Sequence, residues 1–424
     1  MSTLAVLIVL LIGQVASLEN PPIEDEFEIR KPGVNGRIEY KENQRILNLW
    51  GTHYEMGYAH GWLLGEDIVT LCEEYGLGVM ADPITYETQL LPLARYAFVT
   101  PARYQEEMNG IYDGMVASGT DLHLDALGRD FAVDDLLVIN LIADLGQFAC
   151  SVTFGWGAAT AADPELGGGS AYVRDLDWGL DPSGCLNTMS VLITFDSSLP
   201  DEKPLVLTTW PGLISVLTAM SSDGVCASVD YGDHRDMGFI YPSTYTGIGF
   251  SLREGLERCD FDGNGHANHF DVYQAVLSHT TVASFELSLL SPYPVPGDVS
   301  AGAGAVIEIN YYGEALRDSS NNMDYTPFLS ATDLLAVTNH HRLLYTPAPC
   351  WRYNRQVSRL SEDFAVNTAE LWDIESEISN IGTHQMVCFR PNLMDMYVAF
   401  NETFNGAANS NRVYYQWSEL YPNH

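Results

Sequence analysis

The chain has 424 residues, 46% of them hydrophobic, and a formal net charge of −36 from 56 acidic and 20 basic residues. This length and apolar content suffice for a large single α/β-type domain with a sizeable core. A surface so acidic repels the phosphates of nucleic acid and of anionic lipid, so we exclude nucleic-acid binding as a function.

The first residues of the chain are typical of an export signal. Residues 4–12 form an unbroken apolar run, and Val15, Ala16 and Ser17 supply small side chains for a cleavage site. The run is too short to span a bilayer, and no later segment has about 18 consecutive uncharged apolar residues. We therefore predict a secreted or periplasmic protein with a signal peptide at residues 1–17 and without stable membrane insertion. A retained lipid-facing anchor is the alternative.

The pattern of apolar residues divides the rest of the chain at Cys150. Before it, three- and four-residue spacing predicts a mainly helical segment, residues 18–149. After it, residues 150–424 carry short runs rich in β-branched and aromatic residues, and helical spacing returns at 247–258 and 270–277. The predicted strands are 151–160, 170–178, 189–195, 205–210, 213–220, 225–231, 305–310, 334–338, 385–389 and 396–400. Strands, then helices, then strands predict an α+β fold in layers.

Seven cysteines are spread over the chain. In an oxidising compartment an odd number leaves at least one thiol unpaired. Up to three disulfides are compatible with the count, and so is a protein with none. The cysteines are Cys72, Cys150, Cys185, Cys226, Cys259, Cys350 and Cys388.

Cys150 opens one apolar strand, and Arg174 and Asp177 lie near the end of the next. Two neighbouring strands can bring a thiol, a guanidinium and a carboxylate together, and a nearby cation favours the nucleophilic thiolate. The alternative is structural: Cys150 would be a disulfide or core cysteine, and Arg174 and Asp177 an ion pair. These residues by themselves leave both interpretations open.

Five stretches, taken in order, resemble the penicillin (isopenicillin N) acyltransferase-like branch of the N-terminal nucleophile hydrolases. They are residues 51–61 (GTHYEMGYAHG), 150–160 (CSVTFGWGAAT), 174–178 (RDLDW), 337–341 (VTNHH) and 351–353 (WRY). Acid ceramidase and bile-salt hydrolases share the pattern of Cys, Arg-x-x-Asp, Asn and Arg. The resemblance implies a four-layer αββα sandwich. It also implies self-cleavage between Ala149 and Cys150 into two fragments that stay associated.

The resemblance also implies a role for each motif residue. Cys150 would be the nucleophile, and its freed α-amine, with a reference pKa of about 7.7–8.0, would serve as its base. Arg174 would favour the thiolate, and Asp177 would hold the α-ammonium. Asn339 would donate its side-chain amide to the oxyanion of the tetrahedral intermediate. Arg352 would support the nucleophile or bind substrate charge. The structural alternatives are a turn or strand-end residue at Asn339 and a surface charge at Arg352.

Three positions depart from the family pattern. Asp175 follows the arginine where relatives usually have Asn, and Ser221 and Asp230 stand where relatives often have Asn. A second oxyanion donor would therefore have to come from the backbone or from Tyr231. These departures leave open an inactive or slow member of the family.

Residues 260–271 (DFDGNGHANHFD) match the twelve-residue calcium loop of the EF-hand. Gly265 at the sixth position permits the sharp turn, and the flanking segments are predicted to be helical. An Asp/Asn/Gly-rich turn in an acidic protein is the alternative. The predicted ligands of a structural Ca²⁺ are Asp260, Asp262, Asn264, His266 through its carbonyl, Asn268 and Asp271.

Together these features predict a secreted hydrolase or acyltransferase that acts through a thioester on Cys150. Its substrate would be a small molecule with a non-peptide linear amide, and it would need no organic cofactor. One alternative is a lipid amidase or a phospholipase B-like ester hydrolase on the same scaffold. Another is a catalytically silent calcium-binding module for adhesion or assembly.

Overall fold

Two β-sheets lie at the centre of the molecule, whose computed structural model describes residues 29–421 except 147, 180, 233–243, 322–328 and 330–331. One sheet has ten strands and the other six. The predicted signal peptide lies outside the described residues. Within the described ranges, no helix combines the length and the apolar character needed to cross a bilayer.

The first part of the chain is mostly helical after three initial strands. Its elements are β1 (Ile29–Arg30), β2 (Gly36–Lys41), β3 (Gln44–Gly51), α1 (His53–Leu71), a π-helix (Cys72–Met80), α2 (Pro83–Thr85), a second π-helix (Tyr86–Leu90), α3 (Leu91–Ala97), α4 (Ala102–Ser118), β4 (His123–Leu124), β5 (Arg129–Asp130), α5 (Val133–Asn140) and α6 (Ile142–Leu145).

Strands predominate from Ala149 onward. The elements are β6 (Ala149–Gly155), β7 (Ala171–Asp177), α7 (Cys185–Thr188), β8 (Val191–Ser197), β9 (Leu205–Thr209), β10 (Thr218–Ser221), β11 (Cys226–Tyr231), α8 (Ile248–Glu257), α9 (His269–Leu277), β12 (Phe285–Leu290), β13 (Gly304–Asn310), β14 (Gly313–Arg317), β15 (Leu334–Val337), α10 (Trp351–Leu360), α11 (Thr368–Ile378), β16 (Thr383–Arg390), β17 (Asp395–Phe400), β18 (Val413–Gln416) and α12 (Trp417–Leu420). Three 3₁₀ turns, Gly157–Ala159, Pro391–Leu393 and Ala407–Asn409, complete the set.

The order of the strands joins the two parts of the chain. The ten-stranded sheet runs β1-β2-β3-β8-β9-β10-β11-β12-β13-β14, and the six-stranded sheet runs β15-β6-β7-β16-β17-β18. In the ten-stranded sheet, β3 pairs with β8 in parallel. The first three strands of the chain therefore extend a sheet whose other strands follow Cys150 in sequence.

Three clusters of buried side chains show how the sheets and helices pack. One face of the ten-stranded sheet packs with helices of the first part, through residues such as Leu47 and Ile68. Its other face packs against the six-stranded sheet, where Val152 and Leu192 belong to one cluster. The second face of the six-stranded sheet packs with α10 and α11. The observed mixture of sheet and helix fits the predicted α+β class.

Helices α1 and α4 approach each other closely because both carry glycine at the contact. A Cβ atom placed on Gly57 would lie 2.0 Å from the carbonyl oxygen of Glu107, and Gly61, Gly110 and Gly114 are equally constrained by backbone atoms. No side chain fits at such distances, so these glycines permit backbone contact between the helices. Two of them belong to the 51–61 stretch on which the resemblance partly rests.

Six ionisable residues form a continuous network of ion pairs between α1, α4 and the second part of the chain. We call this network the buried charge cluster. His53 Nδ1 lies 2.6 Å from Glu107, and His53 Nε2 lies 3.1 Å from Glu202. Arg253 Nη2 lies 2.8 Å from Glu107. The members are His53, Arg103, Glu107, Glu202, Arg253 and Glu257.

The buried charge cluster is electrically balanced when His53 is protonated. Burial lowers the pKa of His53, but its hydrogen bonds to Glu107 and Glu202 outweigh burial and raise this pKa to about 9. Three cations then face three carboxylates, which is the condition under which buried charges persist. Members from both sides of Ala149 take part, so the cluster holds the two parts of the chain together. The sequence analysis did not identify it.

Two predicted strands are shorter than expected. The predicted strand 151–160 stops at Gly155 because the chain turns at Gly157, whose φ of 55° favours glycine. The predicted strand 213–220 begins only at Thr218, because Asn140 Oδ1 accepts the backbone N–H groups of Ile214 and Ser215 in place of a neighbouring strand.

All seven cysteines are free thiols, Cys259 exposed and the other six buried. The sequence was compatible with up to three disulfides or with none, and the structure has none among these seven cysteines. Cys150 is therefore not a disulfide cysteine, and its surroundings must decide between a core residue and a nucleophile.

Candidate functional site

Cys150 and Arg174 meet on the face of the six-stranded sheet that packs against the ten-stranded sheet. Strands β6 and β7 are antiparallel, with Cys150 opposite Leu176 and Val152 opposite Arg174, so the two side chains share a face. Arg174 Nη2 donates to Cys150 Sγ at 3.0 Å and to the carbonyl oxygen of Val229 at 2.6 Å. Both side chains are buried. The Arg174 guanidinium therefore lies in hydrogen-bonding contact with the Cys150 thiol.

The Cys150 thiol is protonated in the intact chain. Burial raises its pKa well above the ordinary value, and the charges of Asp230, Asp175 and Asp177 raise it further, while Arg174 lowers it. Arg174 stabilises the thiolate, but one cation does not offset burial together with several carboxyl groups. Forming the thiolate therefore requires a group that takes the proton.

Asn339 and Arg352 hold the backbone of Cys150 from both sides. The Cys150 N–H donates to Asn339 Oδ1 at 3.2 Å, and Arg352 Nη1 donates to the Cys150 carbonyl oxygen at 3.0 Å. Arg352 Nη2 also donates to Asn339 Oδ1. These contacts fix both polar backbone groups of Cys150. Arg352 is therefore not the surface charge of its structural alternative, while Asn339 lies just beyond the end of β15, as its structural alternative has it.

The side-chain amide of Asn339, which was expected to donate to the oxyanion, is already hydrogen-bonded within the protein. Its Nδ2 donates to the carbonyl oxygen of Tyr231 at 2.7 Å. The predicted oxyanion donor is therefore occupied in the intact chain. The reason is geometric: Oδ1 accepts from the Cys150 N–H and from Arg352, and this orients Nδ2 towards Tyr231.

Asp177 lies at the end of β7, next to Arg352. Its Oδ2 is 3.5 Å from Arg352 Nη1, and its Oδ1 accepts from the Thr383 hydroxyl. Burial raises the pKa of Asp177, the nearby Asp175 raises it further, and Arg352 opposes the shift. Arg174 and Asp177 lie on opposite faces of β7, so they do not form the ion pair of the structural alternative.

Asp175 is part of a carboxyl pair that the sequence analysis did not recognise. Ser151 Oγ lies 2.5 Å from Asp175 Oδ1 and 2.5 Å from Glu375 Oε2. A hydroxyl has one proton to donate, so the second short contact needs a proton on a carboxyl. Burial raises the pKa of both acids accordingly. The partners are far apart in sequence, and no local pattern links them.

Three buried acids form a row across the ten-stranded sheet, on the face towards Arg174. Asp230 on β11 is opposite Glu286 on β12, which is opposite Glu308 on β13. Asp230 Oδ1 lies 3.4 Å from Arg174 Nε, and Glu286 Oε1 lies 3.2 Å from His341 Nδ1. Asp230 is one of the departures from the family pattern, and no local sequence pattern predicts the row.

Glu286, Glu308 and His341 can bring one ligand atom each within 4.8 Å of the others, a spacing compatible with a metal ion. Glu308 is, however, already engaged. Its Oε1 accepts from Arg317 at 2.7 Å, and its Oε2 accepts the backbone N–H groups of residues 342–344 at 2.7–2.9 Å. We therefore assign the group to charge balance in the interior.

The predicted calcium loop lies between α8 and α9. Carboxylate oxygens of Asp260, Asp262 and Asp271 come within 4.8 Å of one another, and Oδ1 of Asp260 is buried without a hydrogen-bond partner. Asn268 caps α9 through the Phe270 N–H at 2.8 Å, the usual place of the ninth loop position. Oxygen atoms converging in this way fit a hard cation such as Ca²⁺.

Asn264 uses its side chain elsewhere, whereas His266 is predicted to bind through its carbonyl oxygen and not through its ring. Asn264 Nδ2 donates to Asp262 Oδ2 at 2.7 Å, while its Oδ1 accepts the His266 N–H at 2.8 Å. The ring of His266 lies against Gly297. The carboxylates Asp260, Asp262 and Asp271 are thus the part of the predicted set that converges.

A small apolar cavity of about 30 Å³ lies between helices of the first part of the chain and residues that follow β7 in sequence. Trp178, the residue after Asp177, forms part of its wall and stacks on Phe148 with ring centroids 4.8 Å apart. The remaining lining residues are Leu71, Cys72, Tyr75, Gly76, Met80, Tyr86, Val138, Ile139, Ile142, Leu186, Trp210 and Leu213.

No protein-family profile matches the chain. Protein dcd1B of Dictyostelium discoideum is 28% identical over 265 residues, which cover 53% of this chain and 45% of that protein. An uncharacterized protein of Archaeoglobus fulgidus is 28% identical over 203 residues, 44% of this chain and 32% of that protein. The chain thus spans less than half the length of these two curated relatives.

Three solved structures are similar to parts of the chain. The Caenorhabditis elegans ortholog of N-acylethanolamine-hydrolyzing acid amidase has a TM-score of 0.39 and 14% identity, covering 57% of this chain and 94% of that one. Penicillin V acylase from Agrobacterium tumefaciens has 0.39 and 11%, covering 63% and 86%. A mutant conjugated bile acid hydrolase from Clostridium perfringens has 0.36 and 10%, covering 62% and 96%.

Proposed function

We propose that the chain is a self-processing cysteine hydrolase of the N-terminal nucleophile class, with an αββα sandwich. It cuts its own bond between Ala149 and Cys150, and the new N-terminal cysteine then attacks a non-peptide linear amide. The observation that carries this proposal is the 3.0 Å contact between Arg174 Nη2 and Cys150 Sγ. A cation on a buried thiol favours the thiolate once the freed α-amine can act as the base.

The proposed reaction has two stages on one cysteine. The thiolate attacks the amide carbonyl and forms a thioester, which water or an amine then cleaves. For Nδ2 of Asn339 to serve the oxyanion, its side chain has to turn after the cut, which requires Oδ1 to leave both the Cys150 nitrogen and Arg352. Asp177 lies at the strand end where it can hold the new ammonium. Export through residues 1–17 would favour hydrolysis over acyl transfer, because coenzyme A donors are intracellular.

The fragments of the wild-type chain test this proposal. We expect denaturing electrophoresis and intact-mass analysis to find one fragment that ends at Ala149 and one that begins at Cys150. N-terminal sequencing should read Cys-Ser-Val-Thr from the second fragment. A chain that stays whole, with no N-terminus at Cys150, would contradict the proposal and favour the silent calcium-binding module.

The cavity next to Trp178 favours a lipid amidase as the second candidate. Its lining is apolar, as an acyl chain requires. Its volume of about 30 Å³ is close to that of one water molecule, so an acyl chain needs the wall to move. Phe148, which stacks on Trp178, would gain that freedom when the chain is cut one residue later. An acyl-amide panel of increasing chain length would separate the two candidates.

We also propose that residues 260–271 bind a structural Ca²⁺. The converging carboxylates and the unpartnered Asp260 oxygen support this site. Calcium at about 100 times its Kd should stabilise the folded protein by roughly 2.7 kcal/mol, which thermal unfolding would detect. Asp260→Asn should remove most of this shift, whereas Asp298→Asn in an exposed loop should keep it. An equal shift in both variants would overturn the site.

A further inference from the structure

Self-cleavage poses a problem that the mature enzyme does not have. In the intact chain the Cys150 nitrogen is an amide whose N–H is donated to Asn339 Oδ1. It carries no lone pair for proton transfer, so the α-amine cannot take the thiol proton in the first reaction. Because the Cys150 thiol is protonated and buried, some other group must accept that proton before the thiol can attack.

Asp230 lies in a position to accept the proton of the Cys150 thiol. It approaches Arg174 from the ten-stranded sheet, with Oδ1 3.4 Å from Arg174 Nε, and Nη2 of the same guanidinium lies 3.0 Å from the Cys150 thiol sulfur. It is fully buried, so no bulk water separates the carboxyl from the thiol. Asp175 and Asp177 lie on the other face of β7, where they contact Ser151 and Arg352 respectively.

We propose that Asp230 is the general base of self-cleavage, accepting the Cys150 thiol proton while Arg174 stays in contact with both groups. This inference rests on the proposed function. It assigns a catalytic role to a residue that the family pattern does not include. It also gives a function to a carboxyl whose charge otherwise works against the nucleophile by raising the pKa of the Cys150 thiol.

The step balances in atoms and protons. Cys150 Sγ gives its proton to Asp230 and bonds to the carbonyl carbon of Ala149. The bond between that carbon and the Cys150 nitrogen breaks, and the proton returns from Asp230 to the leaving nitrogen. Water then hydrolyses the thioester, which leaves a carboxylate on Ala149 and a free thiol on Cys150.

The charges around Asp230 set the pH range of the reaction. Arg174 and the Cys150 thiol face it from the six-stranded sheet, and Glu286 is its neighbour on β12. Asp175, on the opposite face of β7, raises the pKa of Asp230 through its charge. Burial raises the pKa of Asp230 to about 6, with Arg174 opposing the shift. A base must be ionised to accept a proton, so self-cleavage should accelerate as the pH rises through about 6 and then level off.

Asp230→Asn tests the inference, because a carboxamide of the same shape cannot accept the proton. Precursor refolded from denaturant should be followed by electrophoresis over a pH series. We expect the variant to cleave about 10²–10⁴-fold more slowly than wild type at neutral pH, the usual contribution of a general base. It should also lose the acceleration near pH 6. Thermal unfolding of the same sample shows whether the variant is folded.

Glu286→Gln is the matched control, because burial raises the pKa of Glu286 well above its ordinary value and favours its neutral form, so the substitution leaves the charge beside Asp230 and the thiol unchanged. It should keep the wild-type pH profile. If Asp230→Asn cleaves at the wild-type rate, or if cleavage accelerates as the pH falls, Asp230 is not the base. If wild type fails to cleave at every pH, the proposed function itself fails, and this inference with it.

Discussion

Replacing Cys150 with alanine is expected to leave the chain whole. The proposed cleavage needs a nucleophile bonded to the residue that follows the cut, and alanine supplies none. The fold should survive, because the change removes one sulfur from a site that keeps its strand pairing. Electrophoresis over several days should therefore show a single full-length band, and intact mass should find no fragment that begins at residue 150.

Cys226→Ala is the control for this substitution. Cys226 is also a buried free thiol, it lies between the two sheets, and its sulfur contacts the carbonyl oxygen of Gly224. No role in the cleavage is assigned to it, so the variant should be processed like wild type. Cleavage that persists in Cys150→Ala would show that another residue, or a contaminating protease, cuts the chain.

Replacing Arg253 with methionine should lower the free energy of unfolding by about 3–5 kcal/mol, the usual cost of breaking a buried ion pair from one side. Arg253 is fully buried, and its guanidinium binds Glu107 and Glu257. Without it, two carboxylates remain in the interior with less compensation. Urea denaturation, monitored by circular dichroism, should show the midpoint moving to lower denaturant.

Arg258→Met is a control on the same segment. Arg258 follows α8 and pairs with Asp201 and Glu254 near the surface, where solvent screens such contacts. Its removal should change the free energy of unfolding by less than about 1 kcal/mol. Equal effects of the two substitutions would show that the buried charge cluster does not stabilise the fold.

The Cys150–Arg174 pair could be anticipated because it depends on local pattern. Two consecutive strands joined by a Gly-rich connection pair in antiparallel, and alternation along each strand decides which side chains share a face. By the same alternation, Arg174 and Asp177, which are three residues apart, lie on opposite faces of the strand. The resemblance to a family supplied Asn339 and Arg352, which no spacing could have connected to Cys150.

The remaining site residues could not be predicted, because they come together through pairing between strands that are distant in sequence. Asp230 and Glu286 meet because β11 and β12 are neighbours in the sheet, and β12 itself was not predicted. Helix α10 was missed as well: Arg352 lies in a segment whose apolar face is narrow and whose other positions are polar. Strand order and the burial of polar residues are set by the whole fold, so single-segment patterns do not reveal them.

The parallel pairing of β3 with β8 has a consequence for the processed protein. If the chain is cut before Cys150, three strands of the ten-stranded sheet belong to one polypeptide and seven to the other. Unfolding would then release two molecules, and recovery would require them to find each other again, so it would slow with dilution. The processed enzyme would persist through slow unfolding rather than through reversible equilibrium, whereas its precursor could refold as a single chain.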